Sequence, residues 1–518
     1  MKRLFPLLTA LMTALTLFSC QSDPRLSDND PAAYVDPFIG SGGHGHVFVG
    51  ACVPFGLVQL GPTSIPQQWD WCSGYHESDS TVIGFSHTHL SGTGIGDLFD
   101  VTVMPVVGTD LTYARGEADK PGSGLWSYAD RTKEVCTPGY YSVPLPRYGV
   151  TAEMTATERV GFHRYTFPAS QQAALVFDLE NGGCWDHPKE THIEADGRRI
   201  KGWRFSRGWA KNQKIWFVAE CDKPFTFEEV NPRYARLNFE TSQGEAVQLK
   251  VALSVTGIEG AEKNLEAELP GWDFKATCRA ARQKWNEELG KVKVTTSDEK
   301  ARKIFYTALY HAFIAPALFC DNGADPEYTV FSLWDTYRAA MPLYTILQPG
   351  LESDFMKSFL KIYERQGKLP VWHLHGNETD CMVGNPGVAA MADAITKDIP
   401  GFDYAQAFEA MKASALRPDR GQDLRMKYGY IPADLYNHSL ATDMEYAIAD
   451  WALAQAARKM GAEADCDYFL ERSRSYRHFF DPGTGFMRGK DSRGRFVEPF
   501  SPYYSDHTDS PYTEGNAW

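Results

Sequence analysis

Histidines, carboxylates and tryptophans crowd into a few short stretches of this sequence, and their types limit the chemistry on offer. Five of the 14 histidines fall between residues 44 and 89: His44-x-His46, His76 and His87-x-His89. Neutral imidazole is the commonest transition-metal donor, so the two H-x-H pairs are candidate zinc ligands. In the competing reading these rings hydrogen-bond backbone inside a glycine-rich loop, and no H-E-x-x-H spacing supplies a water-activating glutamate. Gly92-Thr-Gly-Ile-Gly-Asp97 has glycines in the manner of a phosphate loop. It lacks both the G-K-[ST] ending and the G-x-G-x-x-G spacing, and no G-x-S-x-G elbow is present.

Four further clusters mix rings, acids and amides: Trp69-Asp-Trp-Cys-Ser-Gly-Tyr-His76, Leu333-Trp-Asp-Thr-Tyr-Arg338, Val371-Trp-His-Leu-His-Gly-Asn-Glu-Thr-Asp380 and Tyr512-Thr-Glu-Gly-Asn-Ala-Trp518. Sugar recognition needs this combination, with CH faces on aromatic rings and hydroxyls paired to polar groups. Any single Trp or Asp has a structural explanation, and it is the recurrence that points to a carbohydrate site. Glycoside hydrolysis needs two carboxyl groups, about 6.5–9.5 Å apart for inversion and about 5–5.5 Å for retention.

Two kinds of element carry these clusters. Before about residue 270, strand-like runs dominate: Val160–Phe167, residues 174–179 and 215–221, and Val247–Val255 with apolar residues at every second position. Strands without intervening helices predict an antiparallel sandwich. Beyond residue 270 the period becomes helical. Residues 301–315 place apolar side chains at 304, 305, 308, 309, 312 and 313, and residues 353–366 end at Gly367 as a C-terminal cap. Thr442-x-x-Glu445 reads as a capping box for a helix through Lys459 with Met444, Ile448 and Trp451 inward. Further helices are expected over 387–397, 403–415 and 463–480, a series that suits a helical toroid.

Residues 1–20, MKRLFPLLTALMTALTLFSC, have a basic start, an apolar stretch too short to span a bilayer, and a lipobox-like end at Cys20. They predict export and lipidation at Cys20, with residues 21–32 as a polar tether and attachment to a membrane through the lipid alone. The nine other cysteines are scattered, with no C-x-x-C pair, so neither a zinc ribbon nor a dense disulfide framework is indicated. With 52 Lys+Arg against 66 Asp+Glu the net charge is −14, which argues against a nucleic-acid partner. At 518 residues the chain is long enough for several domains, and its 13 Trp, 25 Tyr and 30 Phe supply cores and sugar-stacking faces alike.

Tyr34-Val-Asp-Pro-Phe-Ile-Gly, Gly43-His-Gly-His46, Pro54-Phe-Gly-Leu-Val-Gln-Leu, Cys72-Ser-Gly-Tyr-His76 and Gly84-Phe-Ser-His-Thr-His-Leu-Ser-Gly-Thr-Gly-Ile-Gly-Asp97 resemble the N-terminal half of family 92 glycoside hydrolases. Ser332-Leu-Trp-Asp-Thr-Tyr-Arg338, Gly376-Asn-Glu-Thr379 and Glu514-Gly-Asn-Ala-Trp518 continue the resemblance in the same order. It implies a calcium-dependent, inverting exo-α-mannosidase acting on α-1,2 linkages of mannan or high-mannose N-glycans, exported and anchored in the outer membrane or periplasm of a Gram-negative bacterium. It also implies a multidomain β + α fold: an antiparallel β-sandwich over 33–268, a helical linker over 269–299 and an (α/α)6-barrel catalytic domain over 300–518. By the same resemblance Glu514 is the general acid, Trp334 and Asp335 line the mannose subsite, and Trp69, Trp71 and His76 shape the leaving-group subsite. Glu378 borders the pocket, in a substrate-binding or a structural role.

One departure bears on activity. The family's base belongs to a Gly-Asn-Asp-Asp motif downstream of the acid, together with most calcium ligands, and no such motif occurs up to Trp518. The expectation is therefore a C-terminally truncated sequence with an unclosed barrel and metal ligands beyond Trp518. The competing functional reading is a surface glycan-binding lipoprotein, or inactive fragment, without turnover.

Overall fold

The alternation seen in the N-terminal half becomes two antiparallel sheets in the computed structural model, which describes residues 30–518. The expected signal peptide, Cys20 and most of the expected tether lie outside the described residues. One sheet orders its strands Ala51–Cys52, Gln59–Thr63, Gly84–Ser86, Thr102–Val107, Ser170–Asp178, Tyr234–Thr241 and Thr226–Asn231. The other orders His187–Asp196, Arg199–Arg207, Gln213–Cys221, Glu245–Ser254, Val160–Phe167, Val150–Ala156, Tyr140–Leu145 and Val135–Thr137. They close face to face, with Phe177 of one stacked on Phe217 of the other at 5.9 Å. Leu175, Leu249 and Val251 fill the same core.

The outer face of the second sheet is also covered. Helices Ile258–Glu268 and Phe274–Leu289 follow the last strand, and Ala261, Leu265 and Phe274 pack with Val160, Phe162, Val218 and Ala252. A strand buried on both faces loses its alternation, which is why Glu245–Ser254 is buried continuously from Leu249 onward. Trp285, in the second of these helices, is fully buried, donates to the Cys52 carbonyl at 2.7 Å and lies 4.4 Å from the Tyr310 ring. One indole thus ties the sandwich to the first helix of the next domain.

That helical domain runs through Glu299–Ala312, Ala340–Leu347, Pro349–Gln366, Pro386–Thr396, Tyr404–Ala415, Gln422–Tyr428, Ser439–Lys459 and Glu463–Arg472. Gly367 closes the third of these with φ 76°, a left-handed cap that only glycine adopts without strain. Three expectations are corrected. In Ser439–Lys459, Ile448 and Trp451 face solvent at 43% and 55% exposure, while Asp443 and Asp450 are buried. The reason is Arg425, which reaches into the packed face to bond Asp443 at 3.2 Å, Asp450 at 2.5 Å and Ser475 at 3.0 Å. Thr442-x-x-Glu445 is no capping box, because the helix begins at Ser439 after His438, and Glu445 instead accepts from Tyr337 and Arg338. In Glu299–Ala312, Ile304 and Phe305 are exposed, and Tyr306, Leu309 and Tyr310 carry the packing.

The tether, placed at residues 21–32, ends sooner. Asp30 bonds Arg282 at 2.7 Å and Asn286 at 2.8 Å, Asn286 caps the Ala32 amide, and Pro31–Tyr34 forms a docked 3-10 turn. All nine described cysteines are free thiols. Among the described residues no helix is long and apolar enough to cross a membrane.

Candidate active site

Trp334 and Asp335 stand on the single-turn helix Leu333–Thr336, immediately after the strand residue Ser332. Asp335 is exposed and accepts from the Ser332 hydroxyl at 2.7 Å, which fixes one carboxylate oxygen and leaves the other to solvent. The Trp334 indole lies 5.3 Å beneath the Arg338 guanidinium, and its buried N–H has no partner. Glu378 is differently employed. One of its oxygens accepts from the Val371 amide, the other from those of Trp372 and Asp380, all at 2.9 Å. This carboxylate clasps the 371–380 hairpin together, the structural role.

Glu514 lines a cavity of about 510 Å³ with Asp380, Cys381, Arg420, His438 and Thr513. It is exposed to the cavity and adopts φ 51°, a left-handed conformation that costs a non-glycine residue about 1–3 kcal/mol and is commonly held at functional sites. Burial raises the neighbouring Cys381 thiol above its usual range, and the charges of Glu514 and Asp335 add to that shift. Both acids therefore act on Cys381, which lines the cavity with Glu514. Arg420 and Lys368 hold Asp380, and His438 bonds the Tyr512 carbonyl at 2.6 Å, anchoring the strand of chain that presents Glu514. Arg420, Tyr436, Asn437, His438 and His507 were not legible as site residues. The Tyr436-Asn-His438 run before a helix is the only local signal.

On the sandwich side, Trp69, Trp71 and His76 come together. The turn Trp69–Trp71 presents Trp69 half-exposed, with its N–H on the Gly94 carbonyl at 2.9 Å. Trp71 donates to Asp79 at 2.8 Å and stacks on His76 at 4.5 Å. His76 in turn meets Ser78 and the Gly43 carbonyl, so its ring is spent on positioning the loop. His87 and His89 are buried against the Val101 and Gln59 carbonyls, and burial depresses them to about 3 and about 4. They are structural rather than metal ligands.

Asp97, at the end of the Gly92–Asp97 run, accepts from the amides of Trp209 and Ala210 at 2.9 and 2.7 Å. Burial raises its carboxyl to about 6. The run holds a loop, with no role for phosphate. That loop faces the helical domain: the Trp209 ring meets Trp372 edge-on at 4.8 Å, and Asn212 and Asn377 exchange hydrogen bonds at 3.0 and 3.1 Å. Ile95, Trp209, Trp372 and Cys381 share one apolar cluster. A continuous line of contacts therefore leads from Trp69 through Gly94 and this cluster to the Glu514 cavity.

Calcium takes oxygen donors. Among the described residues the one group of His, Cys, Asp and Glu side chains close enough to share a metal is His44, His46 and Asp70, two-thirds nitrogen in its donors. That donor set is not the all-oxygen kind calcium takes.

A sandwich with aromatic loops, set against a helical domain whose loops enclose an acid-lined cavity, is the build of a glycoside hydrolase. The chain belongs to glycosyl hydrolase family 92: the family's N-terminal domain matches residues 34–254 and its catalytic domain residues 260–518. A family 92 α-mannosidase from Bacteroides thetaiotaomicron is 35% identical with a TM-score of 0.89 over 94% of this chain and 70% of that one. The same enzyme has been solved with mannoimidazole bound, with a TM-score of 0.90. An inverting family 92 mannosidase from Bacteroides thetaiotaomicron VPI-5482 is 25% identical with a TM-score of 0.84, over 95% of this chain and 70% of that one. A secreted glycosidase of Arthroderma benhamiae, itself uncharacterized, is 25% identical over 93% of this chain, which spans 66% of that relative's length.

Proposed function

We propose that the protein acts as an exo-α-mannosidase, removing terminal mannose from mannans or high-mannose N-glycans by inversion, with α-1,2 linkages preferred. The observation that carries this reading is Glu514, held in a left-handed turn at the wall of a 510 Å³ cavity and, like Asp335, acting electrostatically on the Cys381 thiol. In the proposed reaction Glu514 protonates the leaving oxygen while water attacks the anomeric carbon from the opposite face and gives its proton to a base carboxylate, a role assigned to none of the described residues. Asp335 accepts hydrogen bonds from hydroxyls of the terminal mannose and Trp334 lies against its ring. Trp69 and Trp71 offer faces to the leaving sugar. Asp380 is paired with Arg420 and Lys368, so no base role falls to it. No step is assigned to calcium. The likeness to a mannosidase solved with a mannose-like inhibitor supports the substrate class.

Export with lipidation at Cys20 belongs to the same proposal. It is supported by the leader's pattern and by the secreted relative, and radiolabelled palmitate should enter the wild type but not Cys20→Ala. The test of the reaction is mannose release from α-1,2-mannobiose by the wild type and by Glu514→Gln. Loss of the acid should lower kcat by about 10²–10⁴ while calorimetric binding of the disaccharide persists. Equal turnover by the variant removes Glu514 from the acid role. Binding without turnover by the wild type establishes the glycan-binding reading instead.

A further inference from the structure

His44, His46 and Asp70 converge although they come from different loops. His44 Nδ1 lies 2.6 Å and His46 Nε2 3.2 Å from the same Asp70 oxygen, and all three donor atoms fall within 4.8 Å of one another. The backbone is bent to bring this about. A Cβ at Gly45 would sit 1.9 Å from the Gly40 carbonyl oxygen, so only glycine fits there, and the next residue, His46, is buried at φ 53°. A buried non-glycine residue in that region stores strain of the kind found at ligand sites. His76, His87 and His89 each spend a ring nitrogen on a backbone carbonyl instead.

We propose that these three side chains form a binding site for a divalent transition cation, zinc being the natural occupant. Two imidazoles and one carboxylate suit zinc, copper or nickel and disfavour calcium or magnesium. Zinc takes nitrogen at about 2.0–2.1 Å and carboxylate oxygen at about 2.0–2.2 Å, which sets ligand atoms roughly 3.3 Å apart, so the 2.6 Å His44–Asp70 pair must open while the 3.2 Å His46–Asp70 pair already fits. His44 has room to move, being 75% exposed, while buried His46 stays fixed. Solvent reaches Asp70 and His44, leaving the fourth position to water. The bound ion would join the 40–46 glycine loop to the Trp69–Trp71 turn. The site stands independently of the proposed mannosidase reaction.

Titration of the tag-free protein with zinc chloride, in excess calcium chloride, tests this directly. One equivalent should bind, and His44→Ala and Asp70→Asn should each weaken binding at least about ten-fold. His44 is exposed, so its variant keeps the fold. Copper(II) provides a second readout: the Trp69 ring is 4.3 Å from His46, so copper should quench tryptophan emission in the wild type and not in His44→Ala. No uptake of zinc overturns the site. Equal uptake by wild type and both variants does so too, by moving the ion to other donors such as the half-buried Cys184 and Cys381 thiols.

Discussion

Glu352 offers a sharp test of the electrostatics of the helical domain. It sits in the first turn of Pro349–Gln366, completely buried, and neither carboxyl oxygen has a hydrogen-bond partner. Burial, with a smaller contribution from the Asp393 charge, raises its carboxyl from 4.5 to about 8, and Lys397 opposes the shift. The folded protein therefore carries this group protonated at neutral pH, whereas the unfolded chain ionises it. Because the folded-state value is raised, stability is full below 4.5, falls as pH rises from 4.5 to about 8, and is level above that. At about 1.36 kcal/mol per unit, the interval from 4.5 to about 8 amounts to about 5 kcal/mol. Glu352→Gln keeps the shape of the neutral acid and removes the ionisation. Urea unfolding followed by tryptophan emission at pH 5, 6.5 and 8 should show the variant close to wild type at the lowest pH. It should then be increasingly more stable, by a few kcal/mol at pH 8. A difference that does not change with pH, or a wild type that is the more stable at pH 8, refutes the neutral buried acid.

Other perturbations read other parts of the molecule. Arg204 is buried between Asp100, at 2.8 Å, and Asp186; Arg204→Met strands both carboxylates and should cost about 3–5 kcal/mol in urea unfolding. Glu378→Gln gives up acceptor capacity for three backbone amides, so the unfolding midpoint should fall with KM for mannobiose unchanged; a raised KM at unchanged stability would instead place Glu378 on the substrate. His375 is depressed to about 4 by burial, so the stability its neutral ring contributes is present above 6.5 and lost as pH falls towards 4. His375→Asn should flatten the acid limb of the stability profile by up to about 1.36 kcal/mol per pH unit.

How far the sequence could be read follows from the range of the interactions involved. Val160–Phe167 was legible to the residue because a strand run is local and Pro168 ends it directly. Ser439–Lys459 was legible as a helix but not in its orientation. Its buried face includes Asp443 and Asp450, and these read as solvent-facing until Arg425, on a different helix, is seen between them. The same holds at the cavity. Glu514, Trp334 and Asp335 stand in long motifs, whereas Arg420 and His438 enter through Asp380 and Tyr512, partners 40 and 74 residues away in sequence. His44-x-His46 and His87-x-His89 make the point most directly, because one spacing yields two outcomes. The second pair lies against buried strands, where backbone carbonyls take its Nδ1 atoms. The first lies on a loop that folds back at Gly45 and meets a carboxylate from the next turn. A dipeptide spacing cannot decide between backbone and metal; what decides is whether a carbonyl or a carboxylate waits at the ring nitrogen.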